Sequence, residues 1–268
     1  MTETSALEAL LERDRAVVLA GLAGVSLLAW AYLVVTAVEM GGMPGAGATA
    51  PLGAVLEAAM QVRPWTGFDF LLMFLMWAVM MVAMMVPSAA PMILLFAAVR
   101  RKQRERSRGF APVSAFVAGY VAVWSVFSLA ATLLQWGLEQ AALLSPMMVG
   151  SSPILGGALL VVAGLYQWSP LKQACLRHCR SPVHFIVHRR RAGTGGAFAM
   201  GLEHGAFCVG CCGFLMGLLF VGGVMNLLWV AAIAVFVLLE KVLPFGARAG
   251  RVTGGLLVLA GLLVLFQA

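Results

Sequence analysis

Charge is scarce in this sequence. Asp, Glu, Lys and Arg together make up 11% of its 268 residues, against about 25% in an ordinary soluble domain. Cysteine and histidine are absent from most of the chain: all five Cys and all four His fall between Cys175 and Cys212. There is no phosphate-binding or dinucleotide glycine motif in a strand–helix setting, and no HExxH. Nor are histidines paired on separate apolar runs as a transmembrane haem requires. These absences argue against a soluble domain, a nucleotide-driven machine, a zinc protease and a membrane cytochrome.

What is present is apolar. Hydrophobic residues make up 62% of the chain, the mean hydropathy is +0.97, and runs near the roughly 20 residues needed to cross a bilayer recur throughout. The pattern predicts an all-α polytopic transmembrane bundle, a single membrane domain over residues 1–268. Seven spans are expected, at about 17–38, 69–99, 112–138, 153–169, 197–221, 224–240 and 252–267. The first is too long for a signal-peptide core and lacks a small-residue cleavage site before Glu39, so it reads as an uncleaved span. The second exceeds what a bilayer needs, which implies tilt, a kink at Pro87 or Pro91, or an extension into water.

Basic residues fix an orientation. Arg13 and Arg15 precede the first span, the Arg100 to Arg108 run follows the second, Lys172 to Arg191 follows the fourth, and Lys241 to Arg251 follows the sixth. On this topology all but Arg63 of the 18 Lys and Arg residues lie on one side. The positive-inside rule makes that side cytoplasmic, with the N-terminus in and the C-terminus out of a bacterial inner membrane. The net charge of +7 thus reports topology, and no nucleic-acid partner is expected. The stretch Gly41 to Gly67, with a short helix over Leu52 to Val62, is expected to form an outward-facing cap.

The Cys and His cluster divides in two. Cys175, His178 and Cys179 lie in the loop after the fourth span; if that loop is helical, they share one face. His184 and His188 repeat the four-residue spacing nearby. In the fifth span His204, Cys208, Cys211 and Cys212 fall at i, i+4, i+7 and i+8, one helical stripe, with Glu203 beside it. Thiolate and imidazole are the side chains that best hold soft and borderline metals. An ionisable residue inside a span marks function by default. Free Cys also packs as a small apolar residue, so a packing role stands beside a ligand role.

The second span carries Met76, Met80 and Met84 on one face, with Met73 close to it and Met81 and Met85 on a neighbouring edge. Thioethers are soft neutral ligands that favour Cu(I) and add little for Zn(II); they are equally at home filling gaps in a core. Glu240 and Lys241, at the end of the sixth span, read as an interfacial pair.

Four segments in order resemble one known family: Met76 to Pro87, Tyr166 to Pro182, Gly201 to Cys212, and Met225 to Lys241. The family is that of bacterial predicted metal-binding integral membrane proteins, and the likeness covers about residues 70–241. The resemblance implies a bound metal but supplies no substrate, reaction or ligand set.

Together these features predict an inner-membrane soft-metal protein that handles Cu(I), with Zn(II) as the other candidate ion. It would act in transport or in loading a metalloenzyme, with the bilayer and a metallochaperone or metalloenzyme as partners. His204, Cys208, Cys211, Cys212 and Glu203 would form the site within the membrane. Cys175, His178 and Cys179 would form a cytoplasmic mouth, and Met76, Met80 and Met84 a route from outside. Two other classes stay open: a membrane thiol or metal-dependent oxidoreductase, and a structural partner subunit whose cysteines only pack.

Overall fold

A computed structural model of the chain describes residues 3–41, 65–104, 112–141, 143, 152–189 and 191–268. Among these residues the regular structure is helical, as the composition predicts: α1 (Glu3–Gly41), α2 (Gly67–Arg104), α3 (Val113–Gln140), α4 (Pro153–Tyr166), α5 (Pro170–Arg180), α6 (Pro182–His188), α7 (Gly193–Gly217), α8 (Leu219–Gly222), α9 (Leu227–Val242) and α10 (Gly246–Phe266). Residues 42–64 of the expected cap, with its helix at 52–62 and Arg63, and also Arg106, Arg108 and Arg190, lie outside the described residues.

By length and composition, Ala16–Val38, Gly67–Arg100, Val113–Gln140, Gly193–Gly222 and Gly246–Phe266 can each cross a membrane. Two runs differ from expectation. The run at 153–169 ends as helix at Tyr166 and resumes at Pro170 after a bend of 65°. Proline drives its preceding residue out of the α region, and Ser169 is extended at φ −62°, ψ 142°. Its hydroxyl then accepts the Lys172 backbone N–H and starts α5. The run at 224–240 becomes α9, a helix of 16 residues, or about 24 Å, short of a full crossing. By this criterion five helices qualify, or six if the bent pair is one span, where seven were expected.

The long Met-rich run is one helix, α2, carrying both Pro87 and Pro91 in its interior. Its inward face buries Trp77, Met80, Met81, Met84, Met85 and Ile93 against Phe116, Tyr120 and Trp124 of α3. Several polar groups in this layer are paired, while the buried Trp124 indole N–H has no hydrogen-bond partner among the described residues. The Trp77 indole N–H donates to Gln135 Oε1 at 2.7 Å, Gln135 Nε2 donates to Glu139 Oε1 at 2.9 Å, and the Trp65 indole donates to Glu139 Oε2 at 2.7 Å.

Helices α3 and α7 touch backbone to backbone. A Cβ on Gly119 would collide with the Phe198 carbonyl, and one on Gly201 with the Phe116 carbonyl, the small-residue contact by which helices approach closely. The outward faces are apolar instead of polar: Leu27, Leu28, Val126, Leu134, Leu256 and Phe266 are all exposed. A soluble monomer rarely shows so much apolar surface.

Candidate metal centre

The stripe on α7 delivers three sulfurs to one point. Cys208, Cys211 and Cys212 are buried, and their Sγ atoms all lie within 4.8 Å of one another. Spacings of three and four residues place the side chains on one helical face. The thiols of Cys211 and Cys212 both donate to the Cys208 carbonyl, at 3.1 and 3.0 Å. Thiols are weak donors and thiolates strong soft ligands, so little hydrogen bonding opposes a metal at this point.

Helix α5 brings a fourth sulfur. It can lie against α7 because Gly210 has no side chain; a Cβ there would sit 2.6 Å from Cys175 Sγ. One turn on, Cys179 Sγ is 3.8 Å from Cys211 Sγ. The loop and span cysteines, expected as a mouth and a site behind it, therefore meet directly. Cys179 is half-buried, while Cys175 is buried beside the group. His178 turns elsewhere: its ring stacks on Phe207 with centroids 4.1 Å apart and planes 4° from parallel. Its Nδ1 donates to the Ala174 carbonyl at 2.9 Å.

The remaining sequence candidates divide. His204 is buried among Phe116, Tyr120 and Phe185, with ring centroids 5.9, 5.7 and 5.6 Å away. Its Nδ1 has no hydrogen-bond partner among the described residues, and the three-sulfur group does not include it. Glu203 faces the basic segment, paired with Arg189 at 2.6 Å and Arg191 at 3.8 Å. Met76, Met80 and Met84 are buried in the core. The methionine that reaches the cysteines is their neighbour Met85, whose Sδ is 3.8 Å from Cys212 Sγ.

Two further residues touch the cluster, Lys241 and Tyr120, and Ser88 reaches it through Lys241. Lys241 Nζ lies 3.0 Å from Cys208 Sγ and donates to Ser88 Oγ at 2.9 Å. The Tyr120 hydroxyl is 3.1 Å from Cys208 Sγ and donates to the Met85 carbonyl at 3.0 Å. The reading of Glu240 and Lys241 as an interfacial pair is corrected here: both are buried, and Glu240 pairs with Lys172 of α5 at 2.7 Å. Adjacent residues on a helix point some 100° apart, so the two charges leave α9 toward different helices. A charged residue at the end of an apolar run was the available signal for Lys241. For Tyr120 and Ser88 the sequence offered none.

A family model described as PpoB2, copper chaperone, matches residues 74–264. No curated protein and no solved structure shows a significant match.

Proposed function

This chain belongs to the PpoB2 copper chaperone family, and from that premise we propose that it is a membrane protein carrying Cu(I) on its buried sulfurs for delivery to a metalloenzyme. One observation carries the reading: three cysteine sulfurs, buried and within 4.8 Å of one another. Soft thiolates select Cu(I), and the thioether of Met85 beside Cys212 adds a ligand type that favours copper over zinc. The membrane setting is supported by the long apolar helices and the exposed apolar side chains. The one-sided basic residues support a cytoplasmic position for α5.

Copper moves by exchange between neighbouring sulfurs. Cys179, the half-buried member, takes Cu(I) at the edge of the cluster and passes it to Cys211, 3.8 Å away. Cys208 and Cys212 complete the inner site. The thioethers of Met76, Met80 and Met84 continue along α2 to Met85 and form a second approach to the same point. Tyr120 positions Cys208 by linking its sulfur to the Met85 carbonyl. The test is copper content after anaerobic loading of detergent-purified protein. Wild type retains Cu(I), and the Cys208→Ser, Cys211→Ser, Cys212→Ser triple variant does not; equal retention by both would reject the site.

The contact between Cys179 and Cys211 also favours a second reading, thiol–disulfide chemistry. There the two thiols lose two protons and two electrons to an acceptor such as a quinone and form one S–S bond. Thiol trapping in cells separates the two. A disulfide that forms and is reduced regardless of copper supports exchange chemistry, and thiols protected only by copper support carriage.

A further inference from the structure

A cluster of thiolates around Cu(I) carries net negative charge. One Cu(I) with two thiolates is an anion of charge −1, and a third thiolate makes it −2. A buried ion without a partner is strongly disfavoured, and neither the thioether of Met85 nor the imidazole of His204 supplies positive charge when it acts as a ligand.

Lys241 has the position to do so. Its Nζ is 3.0 Å from Cys208 Sγ, and its other partner, Ser88 Oγ at 2.9 Å, is neutral. The carboxylate next to it in sequence, Glu240, is committed to Lys172 at 2.7 Å, with both side chains buried. That ion pair fixes the end of α9 against α5 and leaves the charge of Lys241 for the sulfur. An ammonium has no lone pair and so is not itself a ligand.

We infer that Lys241 is the counter-ion of the copper–sulfur complex, a residue that sets copper affinity through its charge on Cys208 without binding the metal. This rests on the copper-carrying role proposed above. The basic side chain at the end of α9 is thus part of the cargo site, and Glu240 and Lys172 hold it in place.

The experiment is Cu(I) affinity of the detergent-purified full chain, measured by competition with a chromophoric Cu(I) chelator. Lys241→Met is expected to weaken Cu(I) binding roughly 30-fold or more, the scale for unpairing a buried charge. Lys241→Arg, which keeps the charge, should retain most of the affinity. In a Cys208→Ala background, where Cys179, Cys211 and Cys212 remain, Lys241→Met should cost clearly less affinity than it does with Cys208 present, because the sulfur nearest the ammonium is gone. Equal affinity of wild type and Lys241→Met overturns the inference, as does an equal loss in the Cys208→Ala background. Should Cys208→Ala bind no copper, the Met and Arg variants decide: loss in Met with retention in Arg supports the counter-ion, and equal loss in both rejects it. If wild type itself binds no Cu(I), the copper-carrying role falls first.

Discussion

Met85 Sδ on α2 lies 3.8 Å from Cys212 Sγ on α7, so the methionine-rich and cysteine-rich segments meet at one pair of atoms. Met85→Leu keeps the volume and removes the thioether, a swap that cores tolerate at under about 1.5 kcal/mol. It should weaken Cu(I) binding about tenfold, the scale for groups that support a metal site. Met80→Leu, equally buried, should leave the affinity of the cysteine cluster unchanged. Chelator competition on both variants checks the contrast.

Cys179 should be the cluster thiol that reagents reach first, because it is half-buried while Cys208, Cys211 and Cys212 are buried. Brief maleimide treatment of metal-free protein, followed by peptide mapping, should find the label at Cys179 ahead of those three. Cu(I) loaded beforehand should suppress it. Label entering Cys212 first would show that the cluster opens from another side.

Glu203 carries a different expectation from the one its sequence position suggested. Its carboxylate is taken by Arg189 and Arg191, both themselves exposed. Glu203→Gln should leave copper content as in wild type and cost less than about 1 kcal/mol of stability, as partly solvated pairs do. Loss of copper in this variant would place the carboxylate in the site after all.

Two glycines of α7 separate close approach from empty space. A Cβ at Gly201 runs into the Phe116 carbonyl, whereas one at Gly217 meets nothing within 4 Å. Gly201→Ala should destabilise by about 1–3 kcal/mol through overpacking, and Gly217→Ala should be neutral or slightly stabilising. Thermal melting of the two purified variants reads the difference directly.

Much of the fold was legible in the sequence, because hydropathy and helical period act within single segments. The all-helical architecture follows the apolar runs and their period, and the α7 stripe converges on Cys208, Cys211 and Cys212 as its spacing required. The bend at Ser169–Pro170 was written locally but hidden by the apolar run around it. What was not legible is what two helices do to each other. The joining of Cys179 to Cys211 depends on α5 resting on Gly210, and the placement of Lys241 depends on Glu240 being claimed by Lys172. His204 shares the stripe with the cysteines, yet its ring lies among Phe116, Tyr120 and Phe185 from α3 and α6, contacts that no spacing within α7 encodes.

The most direct measurement is X-ray absorption at the copper edge of the Cu(I)-loaded, detergent-purified chain. The expected spectrum is that of Cu(I) in a first shell of sulfur alone, lost together with the copper in the Cys208→Ser, Cys211→Ser, Cys212→Ser variant. A first shell dominated by imidazole nitrogen or carboxylate oxygen, or copper retained undiminished by that variant, would contradict a sulfur site on α7.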